Sequence, residues 1–128
     1  MENKIYFISG HLDLTKSEFI DHYRNKIDAA LSENAHFVVG DAKGADLLAQ
    51  EYLCSKSAQV VVYHMFDSPR NNVGFPLKGS FTSDNSRDKQ MTLDSTHDIG
   101  WIRPGKENSG TARNLQRRNK LIYRKKHT

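Results

Sequence analysis

Cysteine is almost missing from this chain of 128 residues, where Cys54 stands alone. That excludes an internal disulfide and any metal cluster built from cysteines, and leaves Cys54 as a packing residue of the helix that carries it. The histidines, at positions 11, 22, 36, 64, 97 and 127, include no i, i+4 pair with a glutamate, so the helical zinc signature is absent. A Gly-x-Ser-x-Gly elbow, the mark of the α/β-hydrolase nucleophile, is also absent. No apolar run is long enough to span a bilayer. The opening Met1-Glu2-Asn3-Lys4-Ile5 lacks the basic and then apolar profile of a secretory signal. A cytoplasmic protein with no membrane contact is the expectation. Internal repeats and low-complexity stretches are missing too, and nothing in the sequence requires a metal or a cofactor.

Acidic residues are lacking at one end. From Arg113 onward the chain has seven Lys/Arg and no Asp/Glu, which leaves twelve Lys/Arg against fifteen Asp/Glu, a net charge of −3, before it. The overall +4 therefore belongs to the tail. Arg113, Arg117, Arg118, Lys120, Arg124, Lys125 and Lys126 read either as a footprint for phosphates or nucleic acid, or as the solvated face of a helix with a frayed end.

The length suits one domain with a real core, and 37% hydrophobic with 27% charged residues suits a globular one. The stretch that organises it is Phe37-Val38-Val39-Gly40-Asp41-Ala42-Lys43-Gly44-Ala45-Asp46, an apolar strand entering a glycine turn. The following residues, Ala45 to Leu53, have the pattern of an amphipathic helix. Glycines let a backbone approach a ligand closely, and the amides and dipole at a helix start favour an anion. The plainer alternative is a βα turn in which Gly40 and Gly44 relieve strain and Asp46 caps the helix.

Lys4 to Ser9 reads as a buried strand ended by Gly10. Thr15 and Glu18 form a capping-box pattern, so a helix should start near Lys16, with Phe19, Tyr23, Ile27 and Leu31 on its apolar face. Strands follow at 36–39 and 59–65, the latter rich in β-branched residues. Residues 67–82 contain Pro69, Gly74, Pro76 and Gly79 and read as one long loop. A polar helix over 83–96 with Met91 inward comes next, then a fourth strand over 98–103 holding Trp101 as a core residue, a turn at 105–110, a helix from Thr111 to about Asn119, and a short final strand at 121–123. The expected fold is a three-layer, Rossmann-like α/β domain with a mostly parallel sheet of about five strands and the first strand central. Ligands of such folds bind beyond the carboxyl ends of the strands. Gly10 to Thr15, Gly40 to Asp46, the 67–82 loop and Arg103 to Thr111 should gather there.

In that arrangement the chain resembles the SLOG superfamily, which includes the Lonely Guy phosphoribohydrolases, the DNA-processing protein DprA and the YspA-type proteins, and it looks most like the YspA type. The residues that carry the resemblance are Gly10 after the first strand, Gly40-Asp41-Ala42-Lys43-Gly44-Ala45-Asp46, Arg87-Asp88 with Met91, Asp98, and Ser109-Gly110-Thr111. The resemblance implies a nucleotide or nucleotide-derived molecule in the cleft. In the Lonely Guy enzymes a catalytic glutamate ends the last motif; here Asn114 stands in its place, and an amide is no general base.

The leading expectation is thus a binding protein, acting as sensor, carrier or sequestering protein. The backbone amides of Gly10, Gly40, Gly44, Gly110 and Thr111 are the candidate phosphate cradle, Asp46 or Asp98 the candidate acceptors for ribose hydroxyls, and Ala42, Ser109 and Asn114 further candidate ligand contacts. Arg70 and Arg87 are candidate phosphate partners, because a guanidinium grips phosphate with two parallel donors. His11, beside Asp13, is either a ligand contact or half of a solvated pair. Two further readings stay open. N-glycosidic cleavage or transfer on a nucleoside or its monophosphate would need a carboxylate from Asp84, Asp88 or Asp46, and single-stranded nucleic acid would use the basic tail. A homo-oligomer is compatible with all three.

Overall fold

The computed structural model describes residues 3–56 and 58–127; Met1 and Glu2 of the start, Ser57, and Thr128 of the tail lie outside the described residues. The sheet has five strands in the order β4-β3-β2-β1-β5. They are β1 (Ile5–Ile8), β2 (His36–Gly40), β3 (Gln59–Met65), β4 (Leu77–Phe81) and β5 (His97–Ile99), and every neighbouring pair is parallel. The first strand is interior, between β2 and β5, but β2 holds the middle.

The period-2 alternation of these strands sends their side chains to two different helical layers. Ile8, Phe37, Val39, Val60 and Val62 form one cluster with Phe19, Tyr23, Ile27, Ala45, Ala49 and Leu53. These come from α1 (Lys16–Phe19), a π-helical turn (Ile20–Arg24), α2 (Asn25–Ser32) and α3 (Ala45–Leu53). Phe7, Val38 and Tyr63 point the other way and pack with Met91 of α4 (Asp84–Asp94). Beside α4 lies α5 (Gly110–Lys126). The result is the three-layer α/β fold expected, with α1 begun by the reciprocal Thr15–Glu18 capping box.

Several elements differ from the sequence reading. The 67–82 stretch is not all loop, since its last part is the edge strand β4, whose residues are exposed except for the half-buried Phe81. The fourth expected strand stops at Ile99, where its only partner β1 also stops. Trp101 lies beyond the strand and stacks flat on His22 with ring centres 3.9 Å apart. Residues 121–123 are helical, because α5 runs unbroken to Lys126. Leu121-Ile122-Tyr123 sits among strong helix formers that extend the helix through it. Cys54 is exposed at the end of α3 and packs against no core.

The connection from β4 through α4 to β5 carries the chain from one edge of the sheet past β1, opposite in direction to the earlier steps. That reversal opens a crevice beyond the carboxyl end of β1. Gly44 sets one wall of it. With φ +71° it takes a conformation that L side chains rarely adopt, and an added Cβ would lie 2.3 Å from the Leu12 carbonyl oxygen and 2.4 Å from that of His11. We expect Gly44→Ala to lose at least about 3 kcal/mol, since neither backbone can give way. Thermal unfolding should record a drop of roughly 10 °C or more.

Candidate functional site

A cavity of about 750 Å³ opens at this crevice, a volume typical of small-molecule sites. Its walls come from the turn after β1, the turn after β2, the start of α4, and the loop that leads into α5. Of the residues singled out from the sequence, Gly10, His11, Ala42, Asp46, Arg70, Asp84, Arg87, Asp88, Ser109, Gly110, Thr111 and Asn114 line it. Gly40, Gly44 and Asp98 do not. A Cβ on Gly40 would meet the Asp46 carboxyl at 2.5 Å and one on Gly10 would meet Ala45 and Tyr23 at 2.4 Å, so these glycines, like Gly44, serve contacts inside the protein. Gly110 is different: its nearest neighbour would be an Arg113 nitrogen at 3.7 Å.

The turn after β2 is built on Asp41, a carboxylate with no exposure. It accepts from the Arg70 backbone N–H at 2.9 Å, from Arg70 Nη2 at 2.8 Å and from Arg87 Nη1 at 2.9 Å. Burial alone would raise its pKa, but the Arg70 donors and the two guanidinium charges hold it down to about 2. Gln50 completes the attachment. Its amide donates to the Gly40 and Asn71 carbonyls, and its oxygen accepts from Val73 N–H. These two buried polar side chains were not singled out from the sequence. Their loop partners, Arg70, Asn71 and Val73, lie 21 to 29 positions away in a segment whose own sequence signals only turns, and Arg87 of α4 lies 46 from Asp41.

Arg70 and Arg87, then, are already engaged by carboxylates, Arg70 by Asp41 and Asp84, and Arg87 by Asp41, Asp84 and Asp88. Asp88 receives a further bond from Asn114 Nδ2 at 3.1 Å, and Asn114 in turn accepts from Arg117 Nη1 at 2.7 Å. The Asn114 amide thus holds a neighbouring carboxylate at the cavity wall. Asp46 is no helix cap. Gly44 occupies that position, and the Asp46 carboxyl accepts from Ala42 N–H at 3.2 Å. Burial pushes it up to about 7, aided by Asp88 and Asp41 and opposed by Arg87.

On the other side, Arg103 anchors the loop before α5. It pairs with Glu18 at 2.7 Å and Asp13 at 2.9 Å, and its backbone N–H donates to His11 Nε2 at 2.9 Å. The Arg103 bond keeps the Glu18 carboxyl at about 2. Burial, then the Arg103 charge, holds His11 below the usual histidine range, so its ring is a neutral acceptor. Asp98 is turned away, with one oxygen 3.2 Å from Arg118 Nη2 and the other buried without a partner.

Four cations remain. Lys43, Lys106, Arg113 and Arg117 all line the cavity, and among the described residues none of them has a carboxylate partner. Arg113 and Arg117 come from the tail that the sequence marked as basic; Lys106 carried no signal of its own. The first turn of α5, capped by Ser109, presents its amides on the same cavity. No helix among the described residues is long and apolar enough to cross a membrane. Comparison with protein-family models, with curated proteins and with solved structures gives no match.

Asp46 gives the site a pH signature. Folded, it holds its proton up to about pH 7; unfolded, it releases it near pH 3.9. Between those values the native state binds the extra proton, so stability is full below the window and falls as pH rises through it, by about 1.4 kcal/mol per pH unit. Asp46→Asn keeps an oxygen for the Ala42 N–H and removes that slope. The variant should match the parent near pH 4 and melt higher at pH 8. Asp41 has the opposite sign: its contribution is present above about pH 4 and lost as pH falls through 2. Asp41→Asn strips the buried Arg87 of one counter-charge and should cost about 3–5 kcal/mol at neutral pH, measured by urea unfolding.

Proposed function

We propose that this chain binds a nucleotide or nucleotide-derived small molecule in the cavity beyond β1, as a sensor, carrier or sequestering protein. One observation carries the reading: four cations that have no carboxylate partner among the described residues surround a cavity whose other arginines are all neutralised. Like charges brought together around a concave site are stabilised by an anionic ligand. The α5 start adds amides and a positive dipole end to the same position. Phosphates bind to Lys106, Arg113, Arg117 and the Gly110 and Thr111 amides, while Asp88 and Asp46 take ribose hydroxyls and Phe7, Leu12 and Met91 offer apolar surface to a base. The resemblance to the SLOG superfamily supports the same ligand class. The exposed thiol of Cys54 suits a reducing, cytoplasmic setting.

A panel of nucleoside mono-, di- and triphosphates, cyclic dinucleotides and ADP-ribose derivatives, read by thermal shift, tests this. A true ligand at a hundred times its dissociation constant stabilises by about 2.7 kcal/mol. Arg113→Ala and Lys106→Ala should each weaken it about tenfold without moving the unliganded melting temperature. Silence across the panel would refute the reading.

The bond from Asn114 to Asp88 favours a second reading, N-glycosidic cleavage of a nucleoside monophosphate, with Asp88 as the carboxylate at the anomeric carbon. Incubation followed by chromatography for free base separates the two. Release of base that disappears in Asp88→Asn makes the protein an enzyme; binding with no release leaves it a binder.

A further inference from the structure

A second concavity, of about 340 Å³, lies between α4 and α5, on the side of these helices away from the sheet. Leu93, 64% exposed, and Leu121 give it an apolar floor. Its rim carries Lys89 from α4 and Arg117, Lys120 and Arg124 from α5. No carboxylate lines it, and none of the four cations has an ion-pair partner among the described residues. Lys120 and Arg124 are four residues apart, which places them in one row along α5, while the Arg117 guanidinium turns to Asn114 and Asn85 at the first cavity.

We propose that this groove docks an acidic amphipathic helix of a partner protein, with leucine-type side chains on the Leu93–Leu121 floor and carboxylates against Lys89, Lys120 and Arg124. A helix laid along α5 with acidic residues four apart sets carboxylates against Lys120 and Arg124, and its apolar stripe covers the exposed Leu93 and its neighbour Leu121. Charge decides against a second copy of this chain, because a symmetric pairing through this face would set cation against cation. Chemistry decides against single-stranded nucleic acid. Binding of that kind stacks bases on aromatic rings, the groove has none, and nearby Tyr123 is stacked on His127 at 3.9 Å.

The test uses the full chain and a fluorescein-labelled helical peptide of about sixteen residues, long enough to follow the groove at 1.5 Å per residue. It carries leucine at every third and fourth position and glutamate beside them. A scrambled peptide of equal composition and an oligothymidylate of about twelve nucleotides are the controls. In anisotropy titrations the striped peptide should bind at least about tenfold more tightly than the scrambled one, and Leu93→Ser and Lys120→Glu/Arg124→Glu should each remove at least about tenfold of that affinity. Melting temperatures of these surface variants should stay at the parent value, which separates docking from folding. Failure of the striped peptide to bind, equal binding of the two peptides, or oligothymidylate binding that the Lys120→Glu/Arg124→Glu variant abolishes would each overturn the proposal.

Discussion

A carboxylate with no exposure sits between two arginines at the end of β2, and the shape of the cavity depends on it. Asp41 gathers Arg70 from the loop after β3 and Arg87 from α4, so a strand end, a loop and a helix meet at one buried charge. Such a group costs several kcal/mol to bury unless its partners hold good geometry, and this fixes the three segments relative to one another. The effect spreads along the wall through Arg87, Asp88, Asn114 and Arg117, each bonded to the next. Arg70 and Arg87 are therefore frame rather than free phosphate grips, and the cavity's cations without an ion pair among the described residues are Lys43, Lys106, Arg113 and Arg117.

The glycine turn after β2 has a parallel history. Its glycines suggest a backbone that a ligand approaches, but what approaches Gly44 is the backbone of His11 and Leu12, and what approaches Gly40 is the Asp46 carboxyl. The turn does line the cavity, through Ala42, Lys43 and Asp46. Close packing of the β1 and β2 turns on each other sets the position of those three, so the same glycines shape the site without touching its contents.

Much of this was legible in the sequence where local chemistry and tertiary environment agree. Tyr6-Phe7-Ile8 and Val60-Val61-Val62 are strands because β-branched and aromatic side chains fill both layers of a buried parallel sheet. Thr15 and Glu18 cap a helix with local bonds alone. Leu77 to Phe81 was hidden because an exposed edge strand needs no apolar pattern, and Lys78 and Gly79 disguise it further. The convergence of four segments on one sheet edge followed from the handedness of parallel crossovers. The pairing of Asp41 with Arg87 could not be read, since no local rule selects one arginine 46 positions away.

The order of the strands bears on how the molecule comes together in time. Strands β1 to β4 pair with neighbours next to them in the chain, but β5 must return to β1, and Ile5 bonds Thr96 across 91 positions. Loop-closure entropy makes that the late step. The cavity straddles this seam, with one lip following β1 and the other leading into α5. A nascent chain on the ribosome consequently has no pocket until the loop into α5 and the first turns of that helix have emerged. The site matures all at once, as the last act of assembly.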